Sequence, residues 1–385
     1  MKKIRLGDIA TLITKGTTPT TIGFSFVDTG VNFVKIESIG ENGEFLPDKF
    51  ARITDECDKK LRRSQLEEND ILFSIAGAIG RTAIVPSSIL PANTNQALAI
   101  IRIPQNAINL RFVLYALQSQ AVEEQSEKQK QGVAQLNLSL KNIADILIPL
   151  VSSEKQDEIV RNLAAIDAAI ALRKEQIRLI DQLVKSRFVE MFEKGEFERI
   201  PFDSFCEFLR NGASIKQTKG AGGYPITRIE TLANDTFNID RLGYANITEL
   251  KGVEKYILQK GDILISHINS VAYLGRAVQY RGESNTPIIH GMNLLCARLR
   301  NDCNSTYVEY FFKTPMAKDY ISTITKKAVN QASITTTDLK KMPIPDPPAG
   351  APEPLLRLCR RSRQIKISYT KIAVDKPKIV DAGPD

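Results

Sequence analysis

Between Ser153 and Lys194 the chain places apolar residues at Ile159, Leu163, Ile166, Ile170, Ile177, Ile180, Val184 and Phe188. The steps alternate four and three, broken at Arg173 and closing on a four. That is close to the a/d seam of a coiled coil. Arg161, Asp167, Lys174, Glu175, Arg178, Asp181 and Lys185 lie between the seam positions and form a charged outer face. Ser153 with Gln156 reads as a capping box, and Gly195 as a stop. A helix over these residues is about 60 Å long. Such a rod cannot bury its own stripe, so the pattern predicts a second helix beside it, from this chain or a partner. A core helix spanning one domain is the alternative; the narrow, sustained stripe favours a spacer.

A spacer needs domains to separate, and 385 residues with 43% hydrophobic content supply two of them. No apolar run is long enough to span a bilayer. Met1-Lys2-Lys3 opens an amphipathic segment rather than a leader. The five cysteines, Cys57, Cys206, Cys296, Cys303 and Cys359, show no CxxC spacing, which reads as reduced thiols in the cytoplasm and no structural metal. The net charge of +8 suits a polyanionic partner, nucleic acid first, although a basic protein that binds nothing charged also fits.

The flanking sequences repeat one another. Asn32-Phe33-Val34-Lys35-Ile36-Glu37-Ser38 is echoed by Tyr224 to Thr231, and Asp70-Ile71-Leu72-Phe73-Ser74 by Asp262-Ile263-Leu264-Ile265-Ser266. Gly80-Arg81 returns as Gly275-Arg276, and Val133-Ala134-Gln135 as Val329-Asn330-Gln331. The offsets stay between 192 and 196 residues, so one globular unit occurs twice. Its strands are expected at Asn32–Ile36, Ile71–Ile75, Thr82–Val85 and Ala97–Ile103, with a helix over Leu110–Gln120. The fold class is therefore α+β: two similar mixed domains, residues 1–150 and 196–346, joined by a coiled-coil-type spacer helix, residues 151–195.

Each domain exits alike, at Pro149 and Pro345. The long helix follows the first exit. Residues 347–385 follow the second, with Pro347, Pro348, Pro352, Pro354, Gly350 and a basic run, and no seam. We expect an atypical tail in place of a second spacer helix. Read one base later, the codons from Ala349 permit a helix-like peptide beginning P-L-E-L-Q-N, so the tail reads as a frameshifted remnant.

The stretch Asp70 to Arg81 with its Gly77 and Gly80, then Asn95-Gln96-Ala97, then Gly132 to Pro149 and the long helix, resembles the specificity subunit of type I restriction-modification enzymes. The resemblance covers residues 1 to about 348, and rests on order and repetition more than on any single motif. It implies two target-recognition domains, each reading half of a bipartite DNA site. It implies antiparallel helices that set their separation and dock methyltransferase subunits, with restriction subunits joining through those. S-adenosylmethionine would belong to the methyltransferase; this chain would hold no cofactor and do no chemistry. The departure is the tail, which leaves the second helix, and full competence as a subunit, in question. Two chains pairing through their intact helices would be one remedy.

Base reading calls for Arg, Lys, Asn, Gln, Ser or Thr on loops, whose donors and acceptors match base edges. The first domain offers Lys15, Thr17, Thr18, Lys35, Arg81, Asn95, Gln96 and Gln135. The second offers Lys216, Gln217, Lys219, Arg228, His267, Asn269, Arg276, Asn293, Asn330 and Gln331. Each could equally be a solvated surface residue or a turn former. Arg81 and Arg276 stand out because they recur after a strand and a turn. Glu37 and Glu230 recur too; a carboxylate can accept from cytosine N4, but a salt bridge is the plainer reading.

Catalysis finds little support. The only histidines, His267 and His290, sit in one copy. There is no metal-ligand spacing and no GxxxxGK[ST] phosphate loop. The Asn/Asp-Pro-Pro-aromatic signature of amino-methyltransferases fails at Ala349, after Asp346-Pro347-Pro348. Pro47-Asp48 lacks a convincing Glu-x-Lys partner for a nuclease. The leading reading is a non-catalytic DNA-recognition subunit. The rival is a coiled-coil scaffold that dimerises through its helix without reading DNA. Resequencing the 3′ end of the gene tests the tail: the neighbouring frame is expected to encode the helix-like peptide.

Overall fold

The computed structural model describes residues 2–40, 42–104, 106–129, 137–193, 197–218, 222–328, 331–346, 353–362 and 365. The chain forms two compact units that part at Arg173 and Lys174.

In the first unit a four-stranded antiparallel sheet runs in the order Leu12–Lys15, Leu98–Arg102, Ile71–Ser74, Thr82–Ile84. Leu72 pairs with Ile100 on one side and Ala83 on the other. Alternation sends Ile71 and Phe73 into a core with Phe112 and Val113 of the helix Leu110–Leu117. Leu72 and Ile100 face a second core with Val34 and Val85. A smaller sheet holds Ala51–Ile53, Val31–Val34 and Ala92–Thr94, the last two parallel. The strand Lys3–Arg5 pairs with Leu147–Pro149, so the domain's beginning is stitched to its exit.

The second unit repeats the plan. Its large sheet runs Cys206–Asn211, Leu294–Leu299, Ile263–Ser266, Ala277–Gln279. Leu264 pairs with Cys296 and Val278. Arg199–Pro201 pairs with Pro343–Pro345 at the exit. Even the caps agree. Asn109 accepts from the backbone N–H groups of Arg111 and Phe112, and Asn304 from those of Thr306 and Tyr307, each opening the helix that packs on its sheet.

Pattern reading did not foresee one duplicated element. The Asp70 carboxylate, fully buried, accepts from Arg102 Nε at 2.7 Å and Nη2 at 2.8 Å. Asp262 and Arg298 form the same bidentate pair, both bonds 2.8 Å. Each carboxylate also accepts from the backbone three residues back, Glu67 N–H or Gln259 N–H. The turn entering each strand needs a left-handed residue, which is Asn69 (φ 72°) in one copy and Gly261 (φ 104°) in the other.

The long helix runs from Ser153 to Phe188 and continues as a π-turn over Val189–Glu193; the expected stop at Gly195 lies outside the described residues. Its start is a correction. The backbone N–H of Lys155 donates to Ser152, one residue before the expected cap. Gln156 is drawn inward, accepting from Asn109 N–H and donating to the Val151 carbonyl. The seam holds in part. Leu163, Val184 and Phe188 are buried, while Ile159, Ile166, Ile170, Ile177 and Ile180 are half-buried. On the opposite face Leu172, Leu179 and Leu183 are exposed, by 67%, 50% and 49%.

The tail expected in place of a second spacer helix carries a short helix over residues 353–362. Pro354 lies near the beginning of its described residues, and proline is tolerated in a helix's first turn because its missing N–H costs no hydrogen bond there. Leu355 and Cys359 are buried in the second unit's core with Phe188, Tyr310 and Phe311. Leu356 and Ser362 are buried as well. Ile159, Val160, Leu163 and Ile166 show the same spacing 196 residues earlier, and Ile159 and Val160 pack on the first unit's core.

Breaking one duplicated ion pair should be costly, because it strands a charge in the interior. Arg298→Leu is expected to lower stability by about 3 kcal/mol, measured as a fall in the urea midpoint with an unchanged slope.

Candidate nucleic-acid interface

Parallel pairing decides which loops meet. Because Val34 lies beside Thr94 in parallel strands, Lys35 and Asn95 leave the small sheet at the same end. The Thr94 hydroxyl donates to the Val34 carbonyl at 2.8 Å and holds the two together. The loop after Lys15 closes on the same point, where Gly16 N–H donates to the Asn95 carbonyl. A side chain at Gly16 would sit 1.8 Å from the Thr94 carbonyl oxygen, so only glycine permits this approach. The Thr18 hydroxyl donates to Gln96 Oε1 at 2.5 Å. Lys15, Thr17, Thr18, Lys35, Asn95 and Gln96, scattered over eighty residues of sequence, are thus gathered at one edge.

The second unit gathers its set the same way. Thr227 N–H donates to the Ile289 carbonyl, and the Thr227 hydroxyl accepts from Gly291 N–H at 2.9 Å. Ala213 N–H donates to the His290 carbonyl, and Met292 N–H to the Ala213 carbonyl. Gly212 stands where Gly16 does, with no room for a side chain beside His290 and Gly291. Arg228 and Gly291 therefore come close to Gln217, which opens the short strand Gln217–Thr218 just after Lys216. The polar groups differ from the first unit's, and the closing backbone bond shifts by a residue, from Gly16 N–H to the Asn95 carbonyl in one copy to Ala213 N–H to the His290 carbonyl in the other.

Other candidates are placed differently. Asn269 donates to the Ser266 hydroxyl and pairs with Ala332 in a small sheet beside Gln331, whose carbonyl accepts from Ala328 N–H. Gln135, Lys219 and Asn330 lie outside the described residues. Arg81 and Arg276 prove to be occupied. Arg81 Nη1 donates to the carbonyls of Ile36 and Ile39, at 3.2 and 2.8 Å. Arg276 Nη1 donates to the Leu232 carbonyl at 3.0 Å, and its Nε lies 2.9 Å from Asp235. Both arginines are clamps on the 3₁₀ turn that follows Lys35 or Arg228.

Sequence reading missed the second clamp. Ser38 and Thr231 are fully buried. Each hydroxyl accepts from the backbone N–H opening its turn, Lys35 at 3.1 Å and Arg228 at 2.9 Å. Each donates to a carbonyl across the loop, that of Lys49 or Arg241. The echo Glu37-Ser38/Glu230-Thr231 was the available signal.

His267 differs from the exposed candidates: it is 7% exposed and its Nδ1 has no partner. The copy's counterpart is Ile75, as the backbone shows; Ile334 N–H donates to the His267 carbonyl and Leu138 N–H to that of Ile75, both at 2.9 Å. Burial lowers the pKa of His267. Burial also brings His290 down to about 4, although its Nε2 lies 2.8 Å from the Leu294 carbonyl. Among the described residues no cluster of three or more His, Cys, Asp or Glu could hold a metal ion, and no helix is long and apolar enough to cross a membrane.

Comparison with known proteins adds the following. Residues 1–182 and 194–353 match the family described as the type I restriction modification DNA specificity domain. The chain is 41% identical over 167 residues to the MjaX type I restriction enzyme specificity subunit of Methanocaldococcus jannaschii, covering 41% of this chain and 39% of that one. It is 22% identical over 272 residues to the EcoKI specificity subunit of Escherichia coli K12, covering 66% and 58%. The matches thus span less than two thirds of these relatives. Among solved structures, the S subunit from M. genitalium aligns over 100% of this chain and 96% of its own, at TM-score 0.52 and 13% identity. A chain from a study of assembly and conformational transition in a type I R-M system aligns over 99% and 96%, at TM-score 0.52 and 17% identity. These likenesses show a shared fold.

The buried histidines give a pH dependence with a definite sign. Both resist protonation when folded, whereas the unfolded chain protonates them near an ordinary value of about 6.5. The unfolded state takes up more protons below that pH, so stability present above it is lost as pH falls toward about 4. His267→Ile, copying Ile75, is expected to reduce that loss, measured as melting temperature against pH.

Proposed function

We propose that this chain, which belongs to the type I restriction modification DNA specificity family, reads double-stranded DNA through two unlike interfaces, one on each domain. One observation carries the reading. The two domains repeat the same internal hydrogen bonds and present different side chains at the same edge. The common scaffold gives both domains the same way of meeting a duplex. The differing side chains give them different base preferences. The site read is therefore bipartite and asymmetric.

The helix Ser153–Phe188 is the docking element for methyltransferase subunits, and restriction subunits join through them. Its half-buried Ile166, Ile170, Ile177 and Ile180, with exposed Leu172, Leu179 and Leu183, leave apolar surface for a partner to cover. A second copy of this chain is the competing occupant of those positions. S-adenosylmethionine chemistry belongs to the methyltransferase, and this chain performs none. The complex works in the cytoplasm, where host DNA and the net charge of +8 favour encounter.

Co-expression with methyltransferase subunits, followed by mapping of modified adenines on host DNA, tests this function. One split motif with unequal halves and a fixed gap is expected. Modification by a version with the tail restored to the neighbouring frame, but not by this chain, would locate a defect in the tail and leave the recognition role standing. No modification by either would overturn the reading.

A further inference from the structure

Each domain carries an exposed carboxylate beside a cation on its pinned 3₁₀ turn. In the first, Lys35 Nζ lies 3.9 Å from Glu37. In the second, Arg228 Nε lies 3.4 Å from Glu230. The glutamates are 56% and 55% exposed, the cations 28% and 31%. A surface pair this open and this long adds little stability, so folding alone gives no reason to build it twice.

The turns beneath are rigid. Ser38 or Thr231 ties the turn's first N–H to a carbonyl across the loop, Arg81 donates to the carbonyls of Ile36 and Ile39, and Arg276 to that of Leu232. Lys35 is further restricted by lying 4.5 Å over the Phe26 ring, which itself packs edge-on against Phe33. Both pairs sit where the other polar side chains converge, since Lys35 leaves the sheet beside Asn95, and Arg228 follows Thr227, which holds Gly291.

We infer that Lys35 with Glu37, and Arg228 with Glu230, each read one G·C base pair, one pair in each half of the DNA site. The inference rests on the DNA-reading function proposed above. A cation donates to guanine O6 and N7; a carboxylate accepts from cytosine N4–H₂. These groups are neighbours on the edge of a single G·C pair, as the cation and carboxylate are neighbours on the turn. An A·T pair orders its groups acceptor, donor, acceptor, so it cannot give the cation two adjacent acceptors with the carboxylate's donor beyond them. Arg81 and Arg276 are positioning residues: they touch the turn, and through it hold the reading pair. Arg228 can form two parallel bonds to guanine where Lys35 offers a point charge, so the second half-site is read more strictly.

The test is selection of duplexes from a random library by the purified full chain, with sequencing of the bound pool. Wild type is expected to enrich a split motif with a G·C pair in each half. Glu37→Gln should relax one such position about tenfold or more, leaving the other half intact, and Glu230→Gln the reverse. Arg81→Lys should blur the same position as Glu37→Gln. A purely structural role for the glutamates would instead lower the melting temperature and weaken all enrichment evenly. That outcome, or an unchanged motif in both glutamate variants, overturns the inference and leaves DNA reading in place. Enrichment of no split motif by wild type overturns both.

Discussion

The buried pairing of Asp70 with Arg102, and of Asp262 with Arg298, is the contact on which each domain's architecture depends. The aspartate opens a central strand of the large sheet, and the arginine ends or nears the end of the strand beside it. Two hydrogen bonds between a planar fork and a carboxylate allow one alignment of those strands. A slip of one residue would turn Ile71 and Phe73 out of one core and Leu72 out of the other. A buried ion pair is a poor source of net stability, because desolvation offsets most of the attraction. Its contribution here is register. The hydrogen bonds draw charge into the pair, and the arginine's pKa rises accordingly, chiefly through its bond to the aspartate.

Register fixes where the chain turns, and the turns carry the interface. Fixed strands deliver the Gly-Arg turn to the point where Arg81 or Arg276 can reach the carbonyls of a loop more than forty residues earlier. The duplicated features are thus the internal ones: caps, ion pair, hydroxyl and guanidinium clamps. The features that differ point outward, such as Gln96 against Met292. Differences also occur inside, where Ile75 gives way to His267 and Thr94 to His290. Those buried imidazoles stay neutral and add no charge to the interface.

The repeat, the long helix and most strands were legible because they rest on local periodicity and on copies at a constant offset. Most of the edge residues in the first domain, Lys15 through Gln96, were legible as a type but not as a cluster. Their convergence depends on parallel pairing of Val31–Val34 with Ala92–Thr94, and parallel strands meet only through long crossovers. Arg81 was singled out for recurring, and recurrence alone does not separate a clamp from a base contact; the carbonyls it holds lie about forty residues away. The cap falls at Ser152 rather than Ser153, since adjacent serines carry the same local signal and Gln156 is claimed by Asn109. The short helix at 353–362 was not legible, because it lacks a sustained seam and its proline reads as a breaker although proline is tolerated near a helix start.

The helix at 353–362 shows how little a domain of this kind asks of the chain that seals it. The first unit is closed by the opening turns of the long helix, through Ile159 and Val160. The second is closed by Leu355, Leu356 and Cys359 at the same spacing, with Ser362 where Ile166 would stand. Apolar groups at i, i+1 and i+4 are enough to cover the groove beside Tyr310 and Phe311. Nothing in that requirement fixes the outer face, which carries Arg357 and Arg360 paired with Glu353. A sequence unrelated in detail can therefore complete the core, whereas a spacer needs its stripe sustained over many turns. Closing the domain and spacing the domains are separable demands on one element, and the tail meets the first within ten residues.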